Sequence, residues 1–328
     1  MSDTKVSPAL DRVLTLEIVR VTERAAIAAA RLRGRGDEVA ADQAAVDAMR
    51  KELNRLAIQG TVVIGEGERD EAPMLYIGEE VGTGEGPEVD IALDPLEGTT
   101  ITAKGLPNGL AVLAMGARGT LLNAPDVYMD KIAVGGGLPD GVVDLDLTPA
   151  ENIARLAEAK GVAESAIVAC ILDRPRHAEA IAAVRETGAR IQLIGDGDVY
   201  GVMATAMPET GIDIYLGIGG APEGVLAAAA LRCIGGQMQG RLVFRNDDER
   251  ARAHKVGIED LAAKYTMAEM ARGDVIFAAT GVTHGAMLEG VRHRAGVAST
   301  HSVVMRSRTG TVRWIKAQQD LDRRALPA

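Results

Sequence analysis

The sequence predicts an α/β (α+β) protein in two parts, an N-terminal α+β domain over residues 1–147 and a C-terminal α/β domain over 148–328. Three observations lead there. Apolar residues recur at helical spacing through the first 58 residues, short β-rich runs separated by glycine follow, and from Thr148 helix and strand patterns alternate. The 38 glycines point the same way, toward many tight turns rather than a helical bundle. Aromatic residues make up only 2%, so the core has to be packed from Ala, Val, Ile, Leu and Met.

In chain order, Leu10, Val13, Leu14, Ile18, Val21, Ala25 and Ala28 define an amphipathic helix over about 8–32, broken by Gly34-Arg35-Gly36-Asp37. A second helix runs over about 40–58, with Val46, Met49, Leu53 and Leu56 on one face and Gly60 as its stop. Asp42 falls in its first turn, where the helix dipole favours an acid. Strands are expected at 61–64, 89–93, 110–115 and 131–134. Beyond Thr148 the order is helix 149–160, strand 166–172, helix 178–186 and strand 191–194. Helix 199–207, strand 212–216, helix 222–233 and strand 242–244 continue it. Such alternation predicts a mostly parallel sheet with helices on its faces. Residues 302–306 and 311–315 flank Arg308-Thr309-Gly310 as a hairpin.

The formal net charge is −10, from 46 acidic against 36 basic residues. No basic surplus exists to neutralise phosphates, which excludes a general nucleic-acid or anionic-membrane binder. Cys170 and Cys233 lie in apolar stretches and read as small buried hydrophobes, not as a disulfide framework or metal cluster. The N-terminus lacks an apolar signal core, and the most apolar stretch, 225–234, is too short to span a bilayer and contains Arg232. A cytoplasmic protein is expected.

The acids fall at strand ends. Glu66 follows one expected strand, Asp94 and Glu97 another, Asp196 and Asp198 a third, and Glu223 opens a helix beyond a fourth. In open α/β sheets ligands bind outside the carboxyl ends of strands, so these positions can converge. Oxygen-only clusters select hard cations such as Mg²⁺ or Mn²⁺. The five histidines show no paired spacing, which argues against zinc. Multi-carboxylate sites of this kind serve phosphoryl transfer. In Asp94-Pro95-Leu96-Glu97-Gly98-Thr99-Thr100, the proline is expected to turn the chain so that the second acid enters the same cavity. Gly98 permits backbone approach to a phosphate, and Thr99 adds a hydroxyl.

Arg174-Pro175-Arg176 offers two cations for a phosphate that is not cleaved. Gly217 to Gly224 joins a strand to a helix N-terminus, where backbone N–H groups can receive an anion. The same segment supports a rival reading, a dinucleotide-binding βαβ unit, although Pro222 stands where the third glycine of that motif belongs.

Taken together, Gly65-Glu66-Gly67-Glu68, Asp94 to Thr99, Asn123 to Met129, Arg174-Pro175-Arg176-His177, Gly195-Asp196-Gly197-Asp198 and Gly217 to Gly224 resemble the bacterial class II fructose-1,6-bisphosphatases. The likeness runs from about residue 10 to beyond 320. It implies the layered lithium-sensitive phosphatase fold and a phosphoric monoester hydrolase acting in gluconeogenesis. The implied reaction is hydrolysis of the 1-phosphate of fructose 1,6-bisphosphate to fructose 6-phosphate, with Mn²⁺ or Mg²⁺. Sedoheptulose 1,7-bisphosphate is an alternative substrate of the same chemistry.

By motif the resemblance makes Asp42, Glu66, Asp94, Glu97 and Glu223 metal ligands. Thr99 would orient or activate the water, with Asp70 as its assistant. Glu97, Gly98, Thr99, Tyr128, Arg174, Arg176, Asp196, Asp198 and Gly220 would line the substrate site. Glu38 departs from the family pattern, where lysine is frequent, and Arg174 replaces a more usual lysine with its charge kept. The expected partner is a small sugar bisphosphate, with no nucleic acid or membrane, and a homo-oligomer is the default assembly.

Overall fold

The computed structural model describes residues 10, 12–67 and 74–323. Two helices lead, α1 (Arg12–Ala30) and α2 (Glu38–Leu53). Asp37 caps α2 by accepting from the Ala40 N–H at 2.9 Å. Then come β1 (Gln59–Ile64), β2 (Glu80–Val81), β3 (Glu88–Glu97), α3 (Thr99–Lys104), β4 (Leu110–Ala117) and β5 (Tyr128–Gly135). The alternating stretch contains α4 (Pro149–Lys160), β6 (Val168–Leu172), α5 (Ala178–Glu186), β7 (Arg190–Ile194), α6 (Asp198–Ala204), β8 (Ile214–Gly220) and α7 (Ala221–Ile234). The remainder is β9 (Gly236–Val243), α8 (Asp247–Lys255), β10 (Lys264–Thr266), α9 (Met267–Met270), β11 (Val275–Gly281), β12 (Arg292–Arg294), β13 (Val297–Arg306) and β14 (Thr311–Asp320).

These strands form two mixed sheets. The first runs β12-β13-β11-β4-β3-β1-β2 with β14 added to β13, and the second runs β10-β9-β5-β8-β6-β7. The second sheet is not mostly parallel, as the alternation suggested. Only β6 pairs in parallel, with β7 and β8, while β5 pairs antiparallel with β8 and β9, and β9 with β10. Strand alternation does not carry direction, and β5 enters from the N-terminal half. A single cut at residue 147 does not separate the sheets either. β5 lies before it in the second sheet, and β11 to β14 lie after it in the first.

Burial alternates along the strands and sorts the chain into five layers. In β4, Ala111, Leu113 and Met115 pack with α1 and α2 residues such as Ile18, Val21 and Met49, whereas Leu110, Val112 and Ala114 face the other way. Those inward residues meet Val225, Leu226 and the run Ala227 to Ala230 of α7. From the far side, Met129, Ala133, Tyr215 and Leu242 of the second sheet close on the same helix. The opposite face of that sheet, with Ile132, Val134, Ile171 and Ile214, is covered by Ile153 and Leu156 of α4 and Val184 of α5. Small alanines on all sides let α7 lie between two sheets. Among the described residues no helix is long and apolar enough to cross a membrane.

Leu231, fully buried on α7, reports on this central layer. Leu231→Ala is expected to cost about 2–5 kcal/mol, read as a lower urea midpoint at unchanged slope. A loss under about 1 kcal/mol would show that the layer is not closely packed.

Candidate active site

Asp94 and Glu97 do not lie on a turn; β3 continues through both. Pro95 does not reverse the chain, because it sits in a bulge where its missing N–H costs no ladder bond. The pairing steps from Asp94 opposite Val112 to Glu97 opposite Leu110, so three residues on β3 span two on β4. In a regular strand, residues three apart face opposite sides; the extra residue brings both carboxylates to one side. The Leu96 N–H bonds Asp94 Oδ1 at 2.9 Å, and the Val199 N–H bonds Glu97 Oε1 at 3.0 Å. Gly98 then takes φ 88° as the N-cap of α3, which presents Thr99 as its first residue.

Asp42, Glu66, Asp94, Glu97, Gly98, Thr99, Asp126, Asp196 and Glu223 line a single cavity of about 300 Å³. Carboxylate oxygens of Asp94, Glu97 and Glu223 lie within 4.8 Å of one another. Burial raises Glu66 to about 9, reinforced by the charges of Asp94, Asp42 and Glu223. Burial likewise raises Asp94 to about 6, with a hydrogen bond from Glu97 opposing the rise. Glu97 is pushed well up by burial and then by Asp94, and Glu223 rises to about 8 by burial and then Asp198. Asp42 and Asp196 are also raised, chiefly by burial. The buried Glu223 Oε2 has no hydrogen-bond partner. An all-oxygen, over-crowded and partly unsatisfied donor set fits a hard divalent cation.

A buried lysine borders this group. Lys131 on β5 donates to Asp198 Oδ2 and, at 2.7 Å, to the Gly220 carbonyl, and its charge opposes the rise at Glu223. Asp198 is therefore turned to Lys131 and does not line the cavity. A Cβ on Gly219 would strike the Asp198 carboxylate, and one on Gly220 the Glu223 carboxylate. The glycines thus serve close packing of acids. β8 runs straight through Gly220 into α7 with Pro222 in its first turn, leaving no loop to wrap a pyrophosphate. The dinucleotide reading loses its structural basis.

The remaining predicted residues form a second group. Arg174 approaches Asp196 at 3.9 Å. Arg176 donates from Nε and Nη2 to the Ile218 carbonyl at 2.9 and 2.7 Å, and its guanidinium carbon lies 4.9 Å from the Tyr128 ring centre. His177 stitches this loop to β8, bonding the Leu172 carbonyl and accepting from the Ile218 N–H, both at 2.8 Å. Arg245 also lies over Tyr128, at 5.0 Å. Glu38 does not line the cavity; its Oε2 accepts from Thr100 Oγ1 at 3.0 Å. Asp70 lies outside the described residues.

Lys131, Asp126 and Arg245 were not expected. A lone lysine in an apolar strand was the signal for the first, and the Asn246-x-x-Glu249 helix start marks the neighbourhood of the last. A larger groove of about 610 Å³ between α1 and α2 contains Arg20, Arg24, Lys51 and Arg55 but none of the converging acids. The crowded carboxylates, not cavity size, identify the site.

A family model described as "Bacterial fructose-1,6-bisphosphatase, glpX-encoded" matches residues 12–319. The chain is 48% identical to "Fructose-1,6-bisphosphatase 1 class 2" of Escherichia coli (strain K12) over 328 residues, covering 95% of this chain and 97% of the relative. "Fructose-1,6-bisphosphatase class 2" of Shigella flexneri matches with the same identity and coverage.

Because folding lifts Glu66 and Glu223 above the ordinary value of 4.5, the metal-free folded chain binds more protons than the unfolded one. Their contribution to stability therefore falls as pH rises from about 4.5 through about 9. Relative to Glu66→Gln/Glu223→Gln, the Tm of the metal-free chain is expected to drop across that window, and the Tm gained from Mn²⁺ to grow. A Tm difference independent of pH would contradict this.

Proposed function

The chain belongs to the bacterial class II fructose-1,6-bisphosphatase family, and on that footing we propose that it hydrolyses the 1-phosphate of fructose 1,6-bisphosphate within the acidic cavity. The products are fructose 6-phosphate and phosphate, as a cytoplasmic step of gluconeogenesis. The observation that carries the reading is the convergence of Asp42, Glu66, Asp94, Glu97 and Glu223 on one cavity beside the Thr99 hydroxyl.

Those five carboxylates are the proposed holders of Mg²⁺ or Mn²⁺. Divalent cations bound there supply a lowered pKa for water and charge neutralisation for the phosphate and the leaving alkoxide. The protein's own contribution is placement. Gly98, with no side chain, leaves the backbone open to a phosphate oxygen, and Thr99 at the start of α3 holds the attacking water by its hydroxyl. The loop after α1 fixes α3, since the Gly34 and Gly36 N–H groups bond the Thr102 and Ala103 carbonyls, both at 2.9 Å. Attack of the water oxygen forms a new P–O bond and breaks the bond between phosphorus and the sugar O1; the water gives up one proton to solvent, and the departing O1 takes one from solvent, so no net proton is gained or lost. Asp70 is the proposed assistant of Thr99 toward the water.

Tyr128, Arg174 and Arg176 are proposed to take the phosphate that stays. Arg176 is already oriented by the Ile218 carbonyl, which reduces the ordering cost of binding. Asp196 and Gly220 border the sugar between the two ends.

Phosphate release from fructose 1,6-bisphosphate with Mn²⁺ tests the reading. Thr99→Ala is expected to lower kcat by about 10²–10⁴-fold, the range for a positioned proton-transfer or water-orienting group. Glu97→Gln is expected to lose more, and wild-type release no greater than that of Glu97→Gln would overturn the assignment.

A further inference from the structure

We infer that Arg245 is a substrate-binding residue, a second guanidinium holding the uncleaved phosphate of the sugar bisphosphate. The inference rests on the reaction proposed above and extends it to a residue that none of the motifs contains.

The backbone brings Arg245 to the site. Tyr128 starts the central strand β5, opposite Gly220 of β8 on one side and Val243 of β9 on the other. Gly220 adjoins the Glu223 carboxylate, and β9 ends two residues before Arg245. The Arg176 and Arg245 guanidinium carbons lie 4.9 and 5.0 Å from the centre of the same phenol ring. Both guanidiniums thus lie beside the one phenol proposed to border the uncleaved phosphate, and a dianion near that ring is attracted to each of them.

Arg245 is also built to wait for a ligand. Its Nε and Nη2 contact Glu249 Oε1, each at 2.5 Å, while its own N–H bonds Glu249 Oε2 at 2.6 Å. Glu249 is only 1% exposed, and its N–H is bonded by the Asn246 cap at 2.9 Å. The Arg245 side chain nevertheless remains 57% exposed. A helix-capping pair alone requires no approach to Tyr128. A held, accessible guanidinium beside the ring that Arg176 also approaches can recognise a phosphate dianion by charge-assisted hydrogen bonds.

Removing Arg245 alone would strand a buried carboxylate, so the test compares Arg245→Gln/Glu249→Gln with Glu249→Gln, which keeps the guanidinium. Calorimetric affinity for fructose 6-phosphate, which carries only the far phosphate, is expected to be about tenfold to hundredfold weaker in the double variant. KM for fructose 1,6-bisphosphate should rise by a similar factor, while turnover of fructose 1-phosphate, which lacks that group, stays within about twofold. Equal fructose 6-phosphate affinity in the two variants, or equal losses on both substrates, would overturn the inference. If the wild type binds fructose 6-phosphate but cleaves no bisphosphate, the proposed reaction falls while the binding comparison still decides Arg245.

Discussion

Like-charged carboxylates held together away from water are the constraint around which this molecule is arranged. Asp94, Glu97 and Glu223 bring oxygens within 4.8 Å of one another, and Glu66 and Asp42 add to the same field. Left to themselves such groups separate or take up protons, and the raised pKa values of about 9 at Glu66 and 8 at Glu223 express that pressure. Lys131, bonded to Asp198 and the Gly220 carbonyl, opposes the rise at Glu223 without cancelling it. The unsatisfied Glu223 Oε2 leaves a cation as the natural partner of the set.

The layers are what keep the acids in place. Asp94 and Glu97 lie on β3 of the first sheet and Glu66 just beyond the end of β1, whereas Glu223 comes from the helix that separates the two sheets. α7 is buried on all sides, so its first turn cannot retreat from the cavity without unpacking the interior. The β3 bulge makes the matching adjustment, turning a three-residue spacing into a shared face. The residues proposed to face the substrate come from β5 and from the loops after β6 and β7. The site thus draws on both sheets and on the helix between them.

Much of this was legible in the sequence. Helices α4 and α5 lie where periodicity put them, and the strand-end positions of Glu66, Asp196 and Glu223 followed from apolar runs ending in glycine-rich turns. Other features depend on long-range pairing, which local patterns do not encode. Pro95 reads locally as a turn, yet β4, paired at Asp94 and again at Glu97, keeps β3 extended past it after the β1 pairing has ended at Ala92. The direction of β5 and the return of β11 to β14 to the first sheet are likewise set by partners far along the chain. Arg245 and Tyr128 are more than a hundred residues apart, and only the β5–β9 ladder brings them together.

Counting protons on metal binding tests whether the crowded acids carry protons until a cation takes their place. Mn²⁺ is titrated calorimetrically at pH 7 in buffers of differing ionisation enthalpy. With Glu66 and Glu223 raised to about 9 and 8, net release of at least about one proton per chain is expected. Tight Mn²⁺ binding with no proton released would contradict it.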